Sequence, residues 1–392
     1  MKILIIGYNA RPVTSALKLL GHTTYVIDYW GDTDIKPYAD QLITLKKLLK
    51  DQKDEEQLIP ELTDKVLKKH PQTDYAMICS GYDDETEIWK KIQEKIPLLN
   101  IPINTLTKIR DREELAKTLK QNKIPHIPLK KTETLDQAIK YAEKINYPII
   151  IRPEKSSGAY KLKIIQNQTE LEKNITEKQK IYIEKYIPTK ISLSQIVNTR
   201  QNESKILATS LQLLKEYSLG HPPPLGYAGN ITPYKNPDIE EKLNNTTKKI
   251  LKKYDLTGII GLDYILTPEN QIYLTEINPR IPGSIDTAQI TTQTNLVEHH
   301  LKAFQTNQLP KPPEHKGYAT KIIIKTKTTY KTSSIPPYLP IADIYPPNLT
   351  LPPNTPICTI HTYSPYSPQQ SYMQAKKIAG IIYLLNKNND GV

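Results

Sequence analysis

Residues 258–280 read G-I-I-G-L-D-Y-I-L-T-P-E-N-Q-I-Y-L-T-E-I-N-P-R. Two apolar runs flank the turn signal T-P-E-N, so the stretch predicts a β-hairpin. Alternate residues of a strand share a face, so Glu276 and Asn278 point the same way. With Thr267–Asn270 as the turn, Leu266 pairs with Gln271 and Asp263 with Leu274, which puts Asp263 on the face of Glu276 and Asn278. Cross-strand diagonal neighbours lie about 7–8 Å apart, close enough for two carboxylates to share one cation or a close pair. Mg²⁺ takes such oxygen ligands, commonly one or two carboxylates with phosphate oxygens and water. A one-residue slip would turn Asp263 to the opposite face. From these residues alone, a hairpin with one solvated polar face stays open beside the metal reading. Ile260, Leu262, Ile265 and Ile277 argue that the hairpin is partly buried, and a buried carboxylate without a counter-charge is costly.

The 392 residues allow two or three domains with ample core. Hydrophobic residues make up 38% of the chain, and no run approaches the roughly 18–20 apolar residues of a membrane span. M-K-I-L-I-I-G-Y-N-A-R-P is too short in its apolar run for a signal peptide and reads as a first strand. Cys79 and Cys358 alone exclude a disulfide framework and a multi-cysteine zinc site. The expectation is a cytoplasmic protein without a membrane partner. The net charge of +12 suits nucleic acid, anionic lipid or phosphorylated small molecules. Its lysines fall mostly on helical faces such as Leu58–His70 and Ile239–Tyr254, and no array of aromatics among basic strands signals base stacking, so no nucleic-acid partner is expected.

Residues 2–6, Thr23–Tyr29 and Tyr75–Cys79 are strand-like. Helical patterning runs from Pro12 to Leu20, over Leu58–His70 and over Asp84–Ile96. This alternation predicts a parallel sheet with covering helices in the first 100 or so residues. A dinucleotide fingerprint needs G-x-G-x-x-G, whereas the turn after the first strand is G-Y-N-A-R-P with a single glycine. Asp28 therefore reads as a strand-end residue or a substrate contact, and Cys79 as core.

Residues 101–119 continue as one helix ending near Asn122. Leu135–Ile145 is helical, and Tyr147–Arg152 and Tyr160–Ile165 are strands joined by P-E-K-S-S-G-A, a loop able to offer backbone N–H groups to phosphate. Ile181–Ile187 is a strand, and Ser192–Val197 with Ile206–Leu214 an antiparallel pair. After the proline-rich loop 221–230 come a helix at Ile239–Tyr254, the hairpin, and a helix within Ile285–Phe304. His299 and His300 read as helix surface rather than ligands. From about residue 306 prolines cluster around strand-like runs at Thr320–Lys325 and Ile357–Thr362, and Tyr372–Leu385 closes the chain as a helix.

This order of elements, with L-T-E-I-N-P-R-I-P-G-S at 274–284, resembles the ATP-grasp superfamily of ligases. The segment is similar to the family's E-x-N-P-R metal signature, with Asp263 thirteen positions before Glu276. The likeness runs to about residue 305 and is strongest in Pro148–Gly158, Ile181–Ile187 and Gly258–Gly283. Within the superfamily the chain most resembles predicted ATP-dependent carboligases related to biotin carboxylase, a placement that G-Y-A-G-N-I-T-P (226–233) and T-P-I-C-T-I-H (355–361) suit.

The resemblance implies an α/β, ATP-grasp architecture: an N-terminal parallel α/β domain (1–102), a two-lobed α+β ATP-binding region (103–305) hinged near 184–187, and a small β-rich C-terminal domain (306–392). It implies that Asp263, Glu276 and Asn278 hold Mg²⁺, with Mn²⁺ as a substitute, and that Arg280 stabilises the transferring phosphoryl group or the acyl phosphate. Glu184, Lys185 and Ile187 would line the adenine hinge. Arg112 and Arg152 stand where the family has phosphate-binding lysines, a fork in place of a point charge. Ser157 and Gly158, in the loop Ser156–Ala159, would cover the phosphates, although that loop is poorer in glycine than usual. No acidic residue follows the hinge to hold the ribose.

The activity implied is an ATP-dependent carboxylate–amine ligase acting on small molecules through an acyl phosphate. The first 100 residues would supply part of the acceptor site, near Gly7–Arg11 and Ser80–Tyr82. The alternative from another class is a nucleotide-binding regulatory protein of the same fold without turnover. A homodimer is compatible with either, and the oligomeric state stays open.

Overall fold

The computed structural model describes residues 1–49, 54–154, 162–214, 216–221, 226–306, 308–332, 336 and 338–387. The chain begins with the expected parallel sheet. Strands β1 (Lys2–Gly7), β2 (Thr23–Asp28), β3 (Gln41–Thr44) and β4 (Tyr75–Ile78) lie in the order β3-β2-β1-β4. Ile3, Leu4, Ile5 and Ile6 are fully buried, so both faces of β1 are covered, as a parallel sheet requires. β3 escaped the sequence reading because Q-L-I-T is four residues long and half-exposed at the sheet edge. The strand order reverses at β1, which makes the crevice beyond the carboxyl ends of β1 and β4 a switch point. Residues 80–84 emerge there, and Tyr8 N–H donates to Ser80 O at 2.7 Å.

A second, antiparallel sheet has the order β5-β8-β6-β7, built from β5 (Leu129–Thr134), β6 (Ile149–Pro153), β7 (Lys163–Ile165) and β8 (Lys178–Lys185). β5, with the sequence L-K-K-T-E-T, is too polar to read as a strand, and its two lysines sit on an edge, where charge is common. Ala138, Ala142, Ile149, Ile151, Ile165, Leu171, Ile181 and Ile183 form this lobe's own core.

The largest sheet has eight strands. β9 (Ile191–Gln201), β10 (Glu203–Leu214), β11 (Tyr227–Thr232), β12 (Leu256–Leu266) and β13 (Ile272–Asn278) precede residue 306. β14 (Tyr318–Lys325), β16 (Ile341–Ala342) and β18 (Pro356–Ser364) follow it, while β15 (Tyr330–Lys331) and β17 (Thr350–Leu351) pair with each other. The order is β13-β12-β9-β10-β11-β14-β18-β16, so the β-rich C-terminal residues extend the sheet that carries the hairpin. The helix Pro368–Lys387 packs Ala375, Ala379 and Ile382 against Ile322, Ile324 and Ile360. A continuous core joins Leu4, Ile6 and Trp89 of the N-terminal region to Val197, Ile260 and Ile277 of the large sheet.

The single helix read over 101–122 is two, and the helix read within 285–304 is preceded by a second one. Residues 101–122 break at Asp111, whose carboxylate leaves Ile103–Arg110 and caps Arg112–Gln121 by accepting from Glu113 N–H and Glu114 N–H. Residues 285–304 break at Gln293, which takes a left-handed backbone, and Asn295 caps Leu296–Gln305. The second of these helices corrects the reading of His299 and His300, which are 7% and 2% exposed. His300 Nδ1 accepts Ile259 N–H at 2.8 Å, and Nε2 lies 2.9 Å from Leu99 O, so the ring is a neutral bridge that burial pushes down to about 4. A Cβ on Gly258, at φ +95°, would lie 2.7 Å from that ring.

Candidate active site

The hairpin forms, with a register that differs from the simple one. Thr267 Oγ1 accepts Gln271 N–H, and Asn270 takes a left-handed backbone, which adds Gln271 to the turn and pairs Leu266 with Ile272. That one-residue change alone would turn Asp263 away from Glu276. A β-bulge between Asp263 and Tyr264 adds a second shift and restores the face. Asp263 consequently lies directly opposite Glu276, rather than opposite Leu274. The residue left over is Thr275, whose hydroxyl donates to Asp263 O at 3.0 Å and whose carbonyl accepts from Arg112 Nη1 at 3.3 Å. Nothing in the side-chain pattern announces a bulge, because two one-residue shifts in the same direction add to two and leave the alternation of faces intact.

Asp263, Glu276 and Asn278 line one cleft of about 550 Å³, within the usual range for a small-molecule site. Asn278 Nδ2 donates to Asp263 Oδ2 at 3.0 Å, and Gln212 Nε2, from β10, donates to Oδ1 at 2.9 Å. Burial, then the charge of Glu276, pushes the Asp263 carboxyl up to about 6. Burial works in the same direction on Glu276, but Arg110 and Arg112 outweigh it and hold that carboxyl below its ordinary value. Arg110 Nη1 donates to Glu276 Oε1 at 2.7 Å.

The facing lobe supplies Glu184, whose side chain is 4% exposed. Its Oε1 accepts from Arg112 Nε at 3.1 Å and Arg152 Nε at 2.8 Å, and its Oε2 accepts from Arg152 Nη2 at 3.2 Å. Burial opposes ionisation of Glu184, yet the two guanidiniums hold it below the usual carboxylate range. Lys185 and Ile187 also line the cleft. Lys185 N–H bonds Pro128 O and Tyr186 N–H bonds Pro148 O, so this strand edge is anchored as far as residue 186. Leu115, Leu129, Ile150, Ile164, Ile265 and Leu274 make the same part of the cleft apolar.

Arg280 lines the cleft beyond Asn278 and is forked onto Asp83, Nε to Oδ1 at 3.1 Å and Nη2 to Oδ2 at 3.0 Å. Arg112, Arg152, Glu184, Lys185, Ile187, Asp263, Glu276, Asn278 and Arg280 thus share one cavity. Ser157 and Gly158 lie outside the described residues, as do 222–225 of the proline-rich loop. Sequence reasoning missed Arg110, Gln212, Asp83 and Asp84. Arg110 carried a weak signal: it stands two places before Arg112, across the cap residue Asp111. The others act through a third strand and a distant loop.

Among the described residues no three His, Cys, Asp or Glu side chains form a metal cluster. Two carboxylates and an amide nevertheless suit a hard cation that completes its shell with phosphate oxygens and water. The opposed pair Asp263 and Glu276 supports that fit, since each ionised group raises the cost of the other and a cation between them removes it.

Residues 109–284 match the ATP-grasp domain family. An uncharacterized protein of Methanocaldococcus jannaschii, MJ0776, is 29% identical over 308 residues, 76% of this chain and 72% of that protein. The arginine-specific large chain of carbamoyl phosphate synthase from Halalkalibacterium halodurans is 25% identical over 236 residues, 58% of this chain but 22% of that much longer one. The N5-carboxyaminoimidazole synthase of Aspergillus clavatus, solved with ADP and 5-aminoimidazole ribonucleotide, superposes with a TM-score of 0.75 at 16% identity, covering 97% of this chain and 98% of its own. The biotin carboxylase domain of Hydrogenobacter thermophilus 2-oxoglutarate carboxylase, solved as a dimer with MgADP, ADP and bicarbonate, gives 0.72 at 15% identity over 92% and 86%. The chain has the ATP-grasp superfamily fold, in a three-part α/β architecture resembling the biotin-carboxylase-like carboligases, with residues 109–284 as its ATP-grasp domain.

Proposed function

We propose that this chain is an ATP-dependent ligase that joins a small-molecule carboxylate to an amine through an acyl phosphate, with Asp263, Glu276 and Asn278 as its Mg²⁺ site. An ATP-grasp fold implies ATP-dependent ligase activity. The observation that carries the finer reading is the placement of Asp263 directly opposite Glu276, on the wall of a cleft whose other side is apolar and lined by 184–187. The MgADP and bicarbonate of the Hydrogenobacter structure belong to that protein and suggest ligands for this one.

In this reading the apolar side, Leu115, Leu129, Ile150 and Ile164, takes the adenine, and the polyphosphate runs toward Asp263 and Glu276. Bound Mg²⁺ would neutralise phosphate oxygens there. A carboxylate oxygen attacks the γ-phosphorus, forming a new P–O bond while the bond to the β-phosphate oxygen breaks and ADP leaves. The amine then attacks the acyl carbon, a C–N bond forms, the C–O bond breaks, and phosphate leaves as the nitrogen gives its proton to solvent. Such chemistry depends on positioning and charge neutralisation more than on a nucleophilic side chain. The Asp83 fork fixes the plane of Arg280 beside this path. Arg280→Ala is expected to lower kcat more than ATP affinity, and steady-state kinetics over ATP concentration checks this. The reverse pattern would reassign Arg280 to nucleotide binding.

Asp263 sets a pH dependence. Its folded value of about 6 lies above the ordinary 3.8, so the native state binds a proton more tightly than the unfolded chain. In the metal-free protein its contribution to stability therefore declines as pH rises from about 4 to about 6. Cation binding needs the ionised form. The rise in melting temperature given by Mg²⁺ with ADP is expected to shrink as pH falls through about 6, and Asp263→Asn is expected to abolish the metal response with little loss of metal-free stability at pH 7.

One observation favours a second reading, a nucleotide-binding regulator without turnover. Arg112 and Arg152 are both committed to Glu184 rather than turned free toward a phosphate. Magnesium-dependent ADP release with a panel of amines and acids, bicarbonate included, separates the two. Release that requires one acid and one amine supports the ligase; nucleotide binding without release supports the regulator.

A further inference from the structure

Arg110 ends the helix that Asp111 breaks, and its guanidinium spans two carboxylates. Nε donates to Asp84 Oδ1 at 2.6 Å and Nη1 to Glu276 Oε1 at 2.7 Å. The three side chains are 12%, 20% and 25% exposed, so solvent screens them only partly. Asp84 comes from the N-terminal region, on the stretch that leaves β4 at the sheet's switch point. Its neighbour Asp83 forks onto Arg280. Two adjacent aspartates from outside the large sheet thus hold two arginines beside the hairpin, Arg110 and Arg280.

A guanidinium 2.7 Å from Glu276 opposes any cation at that carboxylate. Asp84 counters this twice. Its charge makes the Asp84–Arg110 pair locally neutral, and its pull on Nε divides the fork between two acceptors. Without Asp84, Arg110 would be left to Glu276 and the Ile277 carbonyl, and the net negative charge presented to a divalent ion would fall by one. Both effects have the same sign. The other charges near the fork, Asp83, Arg112, Arg280 and Asp263, stay in place when Asp84 is neutralised.

We infer that Asp84 is a positioning residue for the cation: by sharing Arg110 with Glu276 it keeps the Glu276 carboxylate open to a divalent ion. The inference rests on the metal reading above. It makes the N-terminal region part of the metal site, beyond any direct contact with substrate.

The test uses the full chain and Mn²⁺ as the probe, with ADP in excess and free Mn²⁺ read by its electron paramagnetic resonance signal. Partners that orient metal ligands commonly change affinity 10- to 100-fold, so Asp84→Asn is expected to weaken Mn²⁺ binding by about tenfold. Asp84→Glu, which keeps the charge, should restore most of it. Asp64→Asn, which breaks the exposed ion pair to Lys95 in the same region, should leave it unchanged. Asp84→Ser serves as the neutral variant where Asp84→Asn fails to fold. Equal affinity in wild type and the neutral variant overturns the inference while leaving the metal site standing, and so does a loss that Asp84→Glu fails to repair. No binding by wild type overturns the metal site itself, and the inference with it.

Discussion

Glu276→Ala is expected to eliminate ADP formation while leaving the fold in place. A bound metal contributes several kcal/mol of transition-state stabilisation, and each 1.36 kcal/mol is tenfold in rate, so loss of its ligand should cost roughly 10³-fold or more in kcat. The fold should tolerate the change because Arg110 is not orphaned: its Nε remains 2.6 Å from Asp84 Oδ1. Circular dichroism and the metal-free melting temperature should stay near wild type, and the rise in melting temperature with Mg²⁺ and ADP should vanish. Wild-type turnover in this variant would remove the metal assignment.

Glu184→Ala is expected to fail in the opposite way, by unfolding. Glu184 is the shared acceptor of Arg112 and Arg152, and Arg112 already feels burial and the Arg152 charge as forces that lower it. Removing the carboxylate leaves two guanidiniums facing each other in a partly buried site. Breaking a buried ion pair from one side typically costs about 3–5 kcal/mol. The urea midpoint should fall accordingly, and Glu184→Gln should lie between the two. Because the folded value of Glu184 lies below its ordinary one, its stabilisation is present above the unfolded value and is lost as pH falls through the folded one. The difference between wild type and Glu184→Ala should therefore narrow in acid. An unchanged midpoint would show that Glu184 contributes to ligand binding alone.

These two outcomes separate what could be read from residues and what could not. The parallel sheet, the hairpin and the shared face of Glu276 and Asn278 follow from local periodicity, whereas Asp263 joins that face through the turn and the bulge together. The break at Asp111 was also written there, as an Asp followed three places on by Glu114, but the apolar spacing of 101–119 runs straight through it. That break matters, because it sends Arg110 to Glu276 and Arg112 to Glu184. The bulge at Asp263 left no mark in the pattern of faces. His299 and His300 looked like surface because a helix adjacent to two strands buries residues that an isolated helical wheel exposes. Asp83 and Asp84 were invisible as site residues, since nothing along the chain links residues 83 and 84 to residues 110 and 280. Such pairs exist only once the N-terminal sheet packs against the large one.

The central claim is a cation between Asp263 and Glu276, in reach of the phosphates of a bound nucleotide. Crystals of the full chain grown with Mn²⁺ and a non-hydrolysable ATP analogue test it directly, through the anomalous signal of manganese. A manganese peak is expected within about 2.5 Å of carboxylate oxygens from both Asp263 and Glu276, with phosphate oxygens completing the shell. A nucleotide seated in the cleft with its metal held elsewhere, or with both carboxylates uncoordinated, would contradict it.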